Sequence, residues 1–177
     1  MVTGAEMLSI AAFLEGHHAQ AFPSFGSERT GAPVVAFCRI DDKTIRLREP
    51  IMEPDAVLIQ DPTLLRQIDV LAGLSPDGYV LINSHHDIAT LGLGQAVTAL
   101  RPERLISVPA TDIALRHVGR PVPNVPLLGA FAAATGRISL ETVCAAINEK
   151  FSGRVAAGNI AAASEAFRMT TGDRQHA

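Results

Sequence analysis

The sequence predicts an α/β protein, a three-layer α/β/α domain built on a largely parallel, mixed sheet. Three observations predict it. Short apolar runs recur as "VVAFCRI", "AVLIQ", "YVLIN" and "LISV". Each is four to seven residues long and bounded by turn or cap residues, as expected of strands in a buried sheet. Stretches of helical periodicity come before, between and after these runs, the order that produces parallel strands with helices packed on their faces.

Taken in order, residues 2–15 set Ala5, Leu8, Ala12 and Leu14 or Glu15 around an amphipathic helix, and Gly16 stops it. Residues 34–40 read as a strand buried on both faces. A turn at Asp41-Asp42-Lys43 and a short strand near Ile45–Leu47 suggest that it forms a hairpin. Further strands are expected at Ala56–Gln60, Tyr79–Asn83 and Leu105–Val108. The last third reads as helical: a short helix at Thr111–His117, a small-residue helix at Leu127–Thr135, a third opened by Ser139, and an Ala-rich helix over 154–168. Ser139 is followed three residues later by Thr142, where a full capping box has Glu or Gln. With no repeat or linker, residues 1–177 form a single domain.

Composition narrows the function. Hydrophobic residues make up 47% of the chain and charged ones 19%, with a mean hydropathy of +0.22. No run approaches the roughly 20 apolar residues of a membrane span, and the N-terminus lacks the basic region of a signal peptide. The apolar excess is therefore expected to be covered by partner subunits, in a cytoplasmic hetero-oligomer. A net charge of −3 without a basic block argues against nucleic acid. Cys38 and Cys144 stand alone and read as small buried hydrophobes. An iron–sulfur cluster needs about four thiolates, so none is expected on this chain.

Motifs for chemistry are few. The adjacent pairs His17-His18 and His85-His86 lack metal-ligand spacing, and "LGLGQAV" lacks the strand–GxGxxG–helix setting of a dinucleotide site. Asp61 and Asn83 each end a predicted strand, on the edge where open α/β sheets gather functional groups. The plainer reading is that Asp61 caps a helix starting near Pro62 and that Asn83 turns the chain. The most distinctive stretch is "AFPSFGSERTGAPVV". There Phe22, Ser24, Phe25, Glu28 and Arg29 sit in a loop shaped by Pro23, Gly26, Gly31 and Pro33. It reads either as a docking loop, with apolar anchors and an Arg–Glu pair setting register, or as a loop folded onto its own sheet.

That stretch, with "REPIMEPDAVLIQDPTLL", "GLSPDGYVLINS", "VPATDIALRHVGRPVPNVPLLGAFAAATG" and "SLETVCAAINEKFSGRVAAGNIAAASEAF", resembles the gamma subunit of the pyruvate-type 2-oxoacid:ferredoxin oxidoreductases over nearly the whole chain. The form Phe25-Gly26-x-Glu28-Arg29-x-Gly31-Ala32-Pro33 resembles the pyruvate, branched-chain and aryl-oxoacid branch. The resemblance implies a complex that oxidatively decarboxylates a 2-oxoacid such as pyruvate to an acyl-CoA. An iron–sulfur protein, or NAD through a partner, accepts the electrons. It places thiamine diphosphate, Mg, [4Fe–4S] clusters and CoA on alpha, beta and ferredoxin-like delta subunits. The gamma chain carries no cofactor and completes the wall of the active-site region, with Phe22, Ser24, Phe25, Glu28, Arg29, Asp61 and Asn83 as the residues expected to meet partners.

Relatives open with a strand and a GRGGQG-like loop ahead of the first helix, whereas Met1–Leu8 matches that helix from its first turn. The expectation is that Met1 is an internal methionine taken as the start, and that the sheet is short of one strand. Two other classes of function stay open: a stand-alone nucleotide-binding α/β domain, and an interaction subunit with no contact to an active site.

Overall fold

The computed structural model describes residues 2–24, 33–86, 88–91, 98 and 100–175. Helix α1 (Val2–Leu14) is followed by strands β1 (His18–Ser24), β2 (Val35–Asp41), β3 (Ala56–Ile59), β4 (Tyr79–Asn83) and β5 (Leu105–Val108). Helices α2 (Ala110–Val118), α3 (Asn124–Thr135), α4 (Leu140–Lys150) and α5 (Gly153–Gln175) complete the chain. The fold is α/β and forms one domain.

Two ladders make up the strands. β3, β4 and β5 form a parallel sheet with β4 at its centre, in a register pairing Val57 with Val80 and Leu81 with Ile106. β1 and β2 form a separate antiparallel pair that matches His18 to Asp41 and Ser24 to Val35. The hairpin expected between 34–40 and 45–47 is therefore not made; β2 takes the preceding segment as its partner. The turn after it does form, with Lys43 N–H donating to Asp41. Beyond the turn, Arg39 donates through its guanidinium to the carbonyls of Leu47 (3.4 Å) and Glu49 (2.8 Å), so the returning chain is tied by a side chain rather than by a ladder. β2 is also only half-buried, not covered on both faces.

The parallel sheet separates two apolar clusters because side chains alternate along a strand. Leu81 and Val108 face the larger cluster, built from α1 through α5 and including Met7, Ile113, Leu127, Val143 and Ile147. Ile59, Val80 and Ile82 face the opposite side, where Leu71, Ile88 and Leu100 cover them from short 3₁₀ turns and connecting chain. On the helical side the packing is close: a Cβ added at Gly129 of α3 would lie 2.1 Å from the carbonyl oxygen of Ala163 on α5. The small-residue runs in these two helices permit that approach.

Gly16 ends α1 at φ +90°, a conformation glycine adopts at little cost. Glu15, beside it, reaches α4. Its carboxylate accepts from the backbone N–H of Ser139 and from the Thr142 hydroxyl (2.8 Å), while the Ser139 hydroxyl accepts from the Thr142 N–H (3.1 Å). The imperfect capping box is thus completed by an acid from another helix, and these hydrogen bonds hold the Glu15 carboxyl below its usual range.

Candidate functional site

The carboxyl edge of the parallel sheet carries two of the sequence-predicted polar residues, Asp61 and Asn83. Asn83 closes β4 with its amide turned toward both neighbours. Nδ2 donates to the Gln60 carbonyl just past β3 (2.8 Å) and to the Thr111 hydroxyl in α2 (2.8 Å), and Oδ1 accepts from the Thr111 N–H (3.0 Å). The residue before α2 is Pro109, which makes no side-chain cap. Asn83 therefore caps this helix from a different element. Asp61 caps its own 3₁₀ turn, accepting at Oδ1 from the Thr63 N–H (2.9 Å) and hydroxyl (2.7 Å). Those two bonds lower its carboxyl's pKa. Beside them His85 pairs with Asp112 at 2.9 Å, and the Ser107 hydroxyl donates to the His86 carbonyl at 2.7 Å.

The first turn of α1 lies at the same edge. A Cβ on Gly4 would sit 3.5 Å from Asn124 Cβ and 3.9 Å from Gln60 Nε2. From there α1 runs down roughly 20 Å at 1.5 Å per residue. After Gly16 the chain reverses, and β1 climbs a similar length at about 3.3 Å per residue. Its last residue is Ser24, paired with Val35 of β2. Phe22 is buried in its own hairpin, its ring centroid 5.5 Å from that of Phe37, with the Arg39 guanidinium 5.8 Å from its ring. Phe25, Glu28 and Arg29 lie outside the described residues.

A cleft of about 1300 Å³ runs between β2 and β3, lined by the unbroken stretches Pro33–Asp42 and Ala56–Gln60, with Leu8, Leu128 and Phe131 at its helical wall. Among the described residues β2 pairs only with β1, and β3 only with β4. The cleft is therefore bounded by two strand edges whose outward backbone N–H and C=O groups have no ladder partner. Four exposed apolar side chains, Val34, Val35, Leu47 and Ile68, also line it. The sequence led to the expectation that the sheet is short of one strand, but not to the place of this groove, nor to Gln60, Thr111 and Asn124 as residues of the site.

The remaining chemistry is sparse. Burial pushes the Cys38 thiol up to about 12 and raises that of Cys144, so both are poor nucleophiles. Among the described residues no group of three or more His, Cys, Asp or Glu is placed to hold a metal ion, and no helix is long and apolar enough to cross a membrane. The arrangement is one of fixed backbone edges and capped helix starts, which suits binding and positioning.

Comparison with known proteins gives this geometry a context. The chain is 47% identical over 169 residues to the pyruvate/ketoisovalerate oxidoreductases common subunit gamma of Pyrococcus abyssi, covering 96% of this chain and 90% of that one. It is 46% identical over 166 residues to the pyruvate synthase subunit PorC of Methanocaldococcus jannaschii, covering 94% and 88%. The crystal structure of the pyruvate oxidoreductase subunit PORC from Thermotoga maritima superimposes with a TM-score of 0.77 at 34% identity, covering 94% of this chain and 88% of that one. The family described as pyruvate ferredoxin/flavodoxin oxidoreductase matches residues 1–169. The shared fold and this near full-length correspondence agree, and the chain belongs to the pyruvate ferredoxin/flavodoxin oxidoreductase family.

Proposed function

We propose that this chain is the gamma subunit of a 2-oxoacid:ferredoxin oxidoreductase complex, which oxidatively decarboxylates pyruvate or a related 2-oxoacid to an acyl-CoA. The carrying observation is the correspondence over almost the whole chain with proteins named as gamma subunits and PorC. On this reading thiamine diphosphate, Mg, [4Fe–4S] clusters and CoA are held by alpha, beta and delta partners. This chain contributes shape at the carboxyl edge, with Asp61 and Asn83 turned toward the partners there and Ser24 meeting them at the end of β1. Phe25, Glu28 and Arg29 are assigned to partner contact from the sequence alone, because a guanidinium suits bidentate contact with a carboxylate or phosphate.

Co-purification from the native host, followed by oxidation assays on pyruvate, branched-chain and aryl 2-oxoacids with CoA and ferredoxin, tests the reading. Recovery of partner subunits and CoA-dependent turnover is expected. A chain that purifies alone, with no 2-oxoacid oxidation in its fraction, overturns it. In the same complex Arg29→Ala should weaken assembly or turnover by at least an order of magnitude, as a buried interfacial charge left unpaired costs about 2–5 kcal/mol. Wild-type assembly and rate would reduce the loop to chain punctuation.

The cleft between β2 and β3 completes the reading. Two facing strand edges call for one extended segment, which would join both ladders into a single mixed sheet. The first turn of α1 sits at the carboxyl end of β3, so a strand leading into it would run parallel to β3. Amide exchange checks this. Val35–Ile40 and Val57–Ile59 should become protected in a chain extended by such a strand, and unchanged exchange there would rule the placement out.

A further inference from the structure

We draw no further inference here: the strongest candidate, the strand-edged cleft between β2 and β3 with its apolar rim, belongs to the site already described, and nothing among the described residues points to a second occupant.

Discussion

Replacing Asn83 by Ala removes a side chain that joins the end of β3, β4 and α2. Three hydrogen bonds go with it, leaving the Gln60 carbonyl, the Thr111 N–H and the Thr111 hydroxyl without that partner. Loss of an Asn cap costs about 1 kcal/mol, within a range of roughly 0.5–2. Loss of the bond to Gln60 adds about 1 kcal/mol more at a half-buried position. The sum, about 1.5–3 kcal/mol, corresponds to a fall in Tm of roughly 3–12 °C for a domain of this size. Thermal unfolding followed by circular dichroism, on the purified chain or complex, reads it directly. Asn83→Asp separates the two contributions. It keeps an acceptor for the Thr111 N–H and sets a negative charge at the start of α2, favourable by about 0.3–1 kcal/mol. It also turns an oxygen, not a donor, toward the Gln60 carbonyl. Asp should therefore fall between wild type and Ala. An Ala variant within about 1 °C of wild type, or an Asp variant no better than Ala, would show that the cap does not hold this edge together.

Two further outcomes follow from the helical side. Glu15→Gln should lower stability near neutral pH and flatten its dependence on acid. The folded-state pKa of Glu15 lies below its ordinary 4.5, so its contribution is complete above that value and is lost as pH falls through the folded pKa. Acid-unfolding curves that coincide for the two proteins would remove Glu15 from the account. Gly129→Ala should abolish native packing of α3 on α5, since the added carbon would meet the Ala163 carbonyl at 2.1 Å. Soluble protein with an unchanged near-ultraviolet circular dichroism spectrum would mean that the helices separate freely.

Where the sequence carried a periodic signal, the structure agrees closely. Residues 2–14 stand where helical periodicity placed them, and the strands at 56–59, 79–83 and 105–108 where short apolar runs bounded by turn residues did. β1 escaped because "HAQAFPS" mixes polar residues with a proline. Proline cannot donate to a ladder and argues for a loop, yet it is tolerated in a strand at the edge of a sheet. The false hairpin after β2 came from a real turn whose returning chain Arg39 captured instead. At the site, Asp61 was legible as a cap, because its partner Thr63 lies two residues away. Asn83 was not, because its partners Gln60 and Thr111 lie 23 and 28 residues off in sequence. The burial of Phe22 against Phe37 could not be read for the same reason: a pairing across strands leaves no local trace.

The division of the core by β4 has a consequence for how the molecule opens. Val80 and Ile82 belong to the small cluster under the 3₁₀ turns, while Leu81, between them, belongs to the helical cluster. A single strand thus answers to two sets of neighbours of unequal strength. The helices carry continuous internal hydrogen bonds and a large shared apolar surface, whereas the turns over Ile59 and Ile82 have short, separate ones. Partial unfolding should accordingly begin on the turn side and expose one face of the sheet while the other stays dry. The strand order would outlast the cover on that face.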